Sequence, residues 1–175
     1  MHSSHVYTVA DLAVSDVDAT LHEQDLLCMA FALEQAALAE ALGEVPVGAV
    51  VVDAAGKIVA TGFNRTITDH DPTAHAEVIA LRNAAQLAQN YRLPGYSLYV
   101  TLEPCAMCMG AMMHARLARV VFGAHDPKTG VCGSVLDLPG QTQLNHQTTV
   151  TGGIHADACG HVLRQFFKKR RSKET

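Results

Sequence analysis

The chain contains no tryptophan, and aromatic residues fill only 5% of its 175 positions. Its core must therefore be built from Ala, Val and Leu, since apolar residues reach 49% of the total. No stretch approaches the roughly 20 apolar residues that a helical membrane span requires, so none is expected. No basic start followed by an apolar block stands at the N-terminus, so no signal peptide is read and a cytosolic protein is expected. There is one Cys-x-x-Cys but no second one and no His-x-x-x-His, so a closed four-ligand structural zinc site has no obvious partners. Five cysteines is an odd number; Cys28, Cys132 and Cys159 read as buried or free thiols of a reducing compartment. Residues 1–44 hold eight acids and no Lys or Arg, so the remainder carries a balance of +4 behind a net charge of −4. Five of the bases crowd into Lys168-Lys169-Arg170-Arg171-Ser172-Lys173, a local patch suited to phosphate as well as to a solvated chain end.

What the chain does contain is His75-Ala76-Glu77, followed by Pro104-Cys105-Ala106-Met107-Cys108. One His and two Cys supply the three protein ligands that a catalytic zinc takes, with the fourth tetrahedral position open. Glu77 is not needed as a ligand and is free to move protons. The combination points to a zinc hydrolase acting on an amine-bearing carbon. Alone, Cys-x-x-Cys would fit a redox pair or half of a structural zinc knuckle, His75 an ordinary helix histidine, and Glu77 a solvated one. Together they match the H-x-E…P-C-x-x-C pattern of zinc nucleobase deaminases.

Periodicity orders the rest into one domain over 21–175, behind a loose, unpatterned extension over 1–20. Leu26, Leu27, Ala30, Leu33, Ala37, Leu38 and Ala41 lie at helical spacing, with Gly43 as a stop. Residues 45–52 and 57–63 read as strands joined by the turn Asp53-Ala54-Ala55-Gly56. A helix is expected from Ala74 to about Asn90, with His75 and Glu77 in its first turn. A strand follows over 97–102. Glu103-Pro104 reads as the start of a second helix running to about Leu117, which would place Cys105 and Cys108 on one face. Strands are expected over 119–124 and 148–151, and a closing helix over 156–169. About 23 residues separate the last two strands, enough for a crossover and hence a parallel pair. The pattern is α/β: a five-stranded mixed sheet with helices on both faces in a three-layer α/β/α arrangement.

With these residues placed, the chain resembles the bacterial tRNA-specific adenosine deaminases, within the zinc cytidine and deoxycytidylate deaminase superfamily. The resemblance runs through Glu44-Val45-Pro46-Val47-Gly48-Ala49-Val50, Asn64-Arg65, His70-Asp71-Pro72-Thr73-Ala74-His75-Ala76-Glu77 and Leu98-Tyr99-Val100-Thr101-Leu102-Glu103-Pro104-Cys105. It continues through Val121-Phe122-Gly123-Ala124-His125-Asp126-Pro127-Lys128-Thr129-Gly130, Asn145-His146 and Phe166-Phe167-Lys168-Lys169-Arg170-Arg171. His125 stands where relatives often carry Arg, and Gln147 where a base is common.

The resemblance implies a cytidine-deaminase-like fold and one Zn2+ per subunit on His75, Cys105 and Cys108. It implies Glu77 as the proton shuttle in the hydrolysis of adenosine to inosine at the wobble position of a tRNA anticodon stem-loop. Asn64, the backbone at Ala76 and the wall Val45-Pro46-Val47 would receive the flipped nucleotide. Asp126, Lys128, Phe166 and Arg171 would contact the loop around it, one Phe of the adjacent pair stacking while the other joins the core. A homodimer is implied, for which Met109, Met112 and Met113 offer either a contact face or ordinary core. Two other classes of function remain on sequence grounds: an inactive zinc-stabilised binding subunit, and a deaminase of a small base such as guanine or cytosine.

Overall fold

A computed structural model of the protein describes residues 21–173, so the extension read over residues 1–20 lies outside the described residues. The elements are α1 (Leu21–Ala41), β1 (Gly48–Val52), β2 (Ile58–Phe63), α2 (Ala76–Ala88), β3 (Ser97–Leu102), α3 (Ala106–His114), β4 (Arg119–Ala124), β5 (Thr149–Thr151) and α4 (Ala156–Lys173). The five strands form one sheet in the order β2-β1-β3-β4-β5. β1 pairs antiparallel with β2 and with β3. β3 with β4 and β4 with β5 are parallel, as the long last connection predicted.

Strand alternation divides the core into two layers. Ala49, Val51, Leu98, Val100, Val120 and Phe122 face α2 and α3, where Ala76, Ala80, Leu81, Met109 and Met112 meet them. Val50, Val52, Tyr99 and Val121 face α1, whose Cys28, Met29 and Ala32 cover them, and Cys159 of α4 joins the same cluster. The three-layer α/β/α architecture is thus present. Met109, Met112 and Met113 are buried, so this methionine cluster is core. Cys28 and Cys159 are buried and unpaired, and Cys132 is half-buried and unpaired.

Several boundaries differ from expectation for identifiable reasons. β1 begins at Gly48 and leaves out Val45-Pro46-Val47. Pro46 has no N–H to give to a ladder, and Val47 N–H donates locally to the Val45 carbonyl at 2.8 Å. The register slips between Val51 and Val52, so Val51 faces Ala60 while Val52 faces Ile58. This bulge turns Ile58 to the α1 side although Ala60, two residues on, faces α2. α3 ends at His114, short of Leu117, because Arg116 turns left-handed with φ 60°. α2 approaches β2 so closely that a Cβ on Gly62 would collide with the Ala76 carbonyl and the Ala80 nitrogen.

On the opposite face one buried ion pair ties α1 to the sheet. Arg119 donates to both oxygens of Asp25, at 2.6 and 2.7 Å. The Tyr99 hydroxyl donates to Asp25 Oδ1 at 2.9 Å, and Arg119 also reaches Thr151 Oγ1 at 3.0 Å. The Asp25 carboxylate thus ties helix α1 to strands β3 and β4, and Arg119 extends the network to β5. Removing Asp25 leaves the half-buried Arg119 without its counter-ion and the Tyr99 hydroxyl without its acceptor, so Asp25→Ala is expected to cost about 3 kcal/mol. The midpoint of urea unfolding for the zinc-loaded protein measures this.

Candidate active site

The site forms where two helices begin. His75 occupies the cap position of α2 with an extended backbone (φ −75°, ψ 151°), and Cys105 occupies the same position on α3 (φ −79°, ψ 172°). Both helices start later than the sequence suggested: α2 at Ala76 and α3 at Ala106. Pro104 therefore precedes the cap instead of opening the helix, and its carbonyl accepts from Val131 N–H at 3.0 Å. Neither His75 nor Cys105 caps its own helix with its side chain. The Ala76 N–H is instead accepted by Asn64 Oδ1 at 2.9 Å, an N-cap lent from the neighbouring loop.

This geometry gathers one ligand atom from each of His75, Cys105 and Cys108 within 4.8 Å of one another. Tetrahedral bonds of about 2.1 Å to nitrogen and 2.3 Å to sulfur would set N and S about 3.6 Å apart. His75 Nδ1 lies 3.5 Å from Cys108 Sγ and 3.9 Å from Cys105 Sγ. The donor set and its spacing fit zinc. Cys105 is the readier thiolate: a hydrogen bond from Cys108, opposed by burial and aided by His75, lowers it to about 4. Among the described residues no other cluster of His, Cys, Asp and Glu has such geometry.

Glu77, in the first turn of α2, is 4% exposed. Burial pushes its carboxyl up to about 7, the range in which one group both takes and returns a proton near neutral pH. The adjoining cavity, about 220 Å³, is lined by Val45, Val47, Asn64, Thr66, His75, Glu77, Leu102, Glu103, Cys105, Asp126 and Thr129. Asn64 has its oxygen committed to Ala76, which leaves its NH2 group for a ligand.

The remaining expected residues divide. Pro46 is buried between the two wall valines, and Ala76 turns its side chain into the core with its N–H already taken. Neither lines the cavity. Asp126 does, but its carboxylate is engaged by the N–H groups of Lys128 and Thr129 and the Thr129 hydroxyl. Lys128 is exposed on that turn, outside the lining. Phe166 corrects the expectation most clearly: it is 6% exposed, edge-on to Phe167 and covered by Arg170. Phe167, at 41% exposure, is the ring open to solvent, because adjacent helical residues point about 100° apart. Arg171 stands on the exposed end of α4. Thr66, Leu102, Glu103 and Thr129 were not foreseen as lining; the only signal was their position beside the motifs.

Residues 22–124 match the family model for the cytidine and deoxycytidylate deaminase zinc-binding region. A tRNA-specific adenosine deaminase of Haemophilus influenzae is 53% identical over 152 residues, covering 87% of this chain and 88% of that protein. The chain belongs to this family. A second relative of the same name, from Bacillus subtilis, is 43% identical and covers 86% of this chain and 93% of its own length. A solved structure from work on A-to-I editing by tRNA:A34 deaminases superposes with a TM-score of 0.75 and 40% identity. It covers 78% of this chain and 99% of that one.

For this deaminase the division of labour between ligands and Glu77 is measurable without turnover. Cys108→Ala is expected to weaken zinc binding by more than about 100-fold, beyond what the loss of an outer-sphere partner costs. Glu77→Gln is expected to leave it within a few-fold. Metal content after dialysis against buffered free zinc reads both.

Proposed function

We propose that the protein hydrolyses adenosine to inosine at the wobble position of tRNA anticodon loops and carries one zinc per subunit. The observation that carries the reading is Glu77: a buried carboxyl, poised near neutrality, in the same cavity as a three-ligand His-Cys-Cys set. An inert zinc-stabilised module has no use for such a group. Two relatives of matching length bear the tRNA-specific name, which supports the substrate.

His75, Cys105 and Cys108 would hold the zinc, which when bound supplies a Lewis acid that makes water nucleophilic near neutral pH. Glu77 takes the proton from the attacking water and protonates N1 of the purine as the new bond to C6 forms. It then takes the proton of the new C6 hydroxyl and passes it to the amino group as the C6–N bond breaks, releasing ammonia and leaving the C6 carbonyl of inosine. Asn64 offers its NH2 group to the nucleotide, and Val45 and Val47 supply apolar wall against the base.

A separate cleft, lined by Glu40, Gly43, Phe166, Lys169 and Arg170, lies at the basic end of α4. Single-stranded RNA is held by phosphate charge and by bases stacked on exposed rings, which Lys168, Arg170 and Phe167 can offer. Lys169 is paired with Glu40 at 2.9 Å. An apolar groove lined by Val78, Leu81, Ala85, Tyr91, Leu93 and Ala111 runs between α2 and α3 and suits a homodimer contact. Among the described residues no helix is long and apolar enough to cross a membrane.

Zinc-loaded protein is expected to form inosine in an anticodon stem-loop with adenosine at the wobble position. It is expected to leave free adenosine, guanine, cytosine, cytidine and deoxycytidylate unchanged. Glu77→Ala should lower turnover by about 10²–10⁴-fold with zinc retained. Turnover of a free base beside an untouched stem-loop would keep the chemistry and overturn the substrate.

A further inference from the structure

Two buried carboxylates border the cavity and have no part in moving protons. Glu44 is fully buried and Glu103 is 2% exposed. Glu44 precedes the Val45–Val47 wall and reaches across to the loop between β2 and α2. Its Oε1 accepts from Thr68 N–H at 2.7 Å, and its Oε2 from Ile67 N–H at 3.2 Å and Thr66 Oγ1 at 3.3 Å. Glu103 sits between Leu102 and the metal-ligand segment and reaches across to the loop after β4. Its Oε2 accepts from Asp126 N–H at 2.9 Å and from the Ser134 hydroxyl. Its Oε1 accepts from Cys132 N–H at 2.9 Å and Ser134 N–H at 3.1 Å.

Glu103 lines the cavity, Glu44 stands directly before its lining residue Val45, and each grips a loop that lines the cavity elsewhere. Thr66 lines the cavity on the first loop, and Asp126 and Thr129 line it on the second. Neither loop belongs to a strand of the sheet: the first is tied back by Asn64 N–H to the Val47 carbonyl at 3.1 Å, and the second by Val131 N–H to the Pro104 carbonyl at 3.0 Å and the bridges Cys105–Gly130 and Cys132–Asp137. A buried carboxylate would be an expensive way to hold a loop unless its donors were satisfied, and both acids are fully engaged. For each, burial raises the carboxyl, but the hydrogen bonds outweigh it and hold the group below the ordinary range.

We propose that Glu44 and Glu103 are positioning residues, each fixing one substrate-facing wall of the cavity through the loop it grips. This rests on the substrate reading above. It predicts that loosening a grip weakens substrate binding while leaving the metal ligands and Glu77 in place.

Glu44→Gln and Glu103→Gln test it, because the NH2 group of Gln must face an N–H whichever way the side chain turns. Amide hydrogen exchange on the zinc-loaded protein should rise about tenfold or more at Ile67 and Thr68 in the first variant only. The same rise should appear at Asp126, Cys132 and Ser134 in the second only, so each variant is the other's control. With zinc content unchanged, KM for the stem-loop should rise about tenfold while kcat moves less than about threefold. Where Glu103→Gln fails to fold, Ser134→Ala removes only the hydroxyl that donates to Oε2, leaves the three N–H groups in place, and should loosen the same loop more gently. Unchanged exchange at the gripped amides would overturn the proposal, and so would exchange raised across the whole domain or zinc lost. Exchange needs no substrate, so it decides the proposal even if wild-type protein leaves the stem-loop unmodified; that result would sink the substrate reading alone.

Discussion

β2 and β3 each run antiparallel to β1, so they run parallel to one another, and β4 runs parallel to β3. All three therefore end at the same edge of the sheet, and everything the site needs is delivered there. β2 leads through Asn64 to α2 with His75 and Glu77. β3 leads through Glu103 to α3 with Cys105 and Cys108. β4 leads to the loop carrying Asp126 and Thr129. Open α/β sheets bind ligands at strand C-termini for this reason. The constraint is tight because three ligand atoms must meet within 4.8 Å from helices about 30 residues apart in sequence. Gly62 sets the height of α2 over the sheet, since any larger side chain would push the Ala76 carbonyl away and His75 with it.

Much of this was legible in the residues, and the parts that were not fail for specific physical reasons. Spacing placed His75, Glu77, Cys105 and Cys108 on two helix starts, because ligand chemistry demands those residue types whatever surrounds them. The two helix starts were read two residues early. His75 and Cys105 occupy cap positions that favour Ser, Thr, Asp or Asn, and the cap for α2 comes from Asn64, 12 residues away and unreadable as a cap from local pattern. Residues 45–47 look like strand because valines flank Pro46, yet the proline cannot donate to a ladder. Phe166 and Phe167 are chemically identical neighbours, so only the packing of α4 decides which ring is buried. The parallel β4–β5 pair was legible because chain length alone forbids a tight hairpin.

The acids show where sequence reasoning stops. Glu103 reads as a helix-opening residue, and nothing in the local pattern around Glu44 marks it as buried. Both are buried because the groups they satisfy lie 23 to 31 residues away in Glu103's case and 22 to 24 in Glu44's. Long-range hydrogen bonds of this kind leave no periodic trace. The same holds for Asp25, whose partners Tyr99 and Arg119 sit 74 and 94 residues further along.

Three glutamates border one cavity, and what separates them is the supply of donors. Glu44 and Glu103 are each met by backbone N–H groups and hydroxyls, which stabilise the anion enough to outweigh burial, so both stay ionised. An ionised, fully bonded carboxylate holds its surroundings firmly and is a poor proton carrier, because protonation would break the bonds that keep it in place. Glu77 has a thinner supply, its own N–H and the Cys108 thiol, which burial outweighs, and its carboxyl rises to about 7. It alone can change protonation state near neutral pH without releasing a wall of the site. Identical side chains are thereby assigned to holding and to proton transfer by the backbone around them, and the cavity needs both.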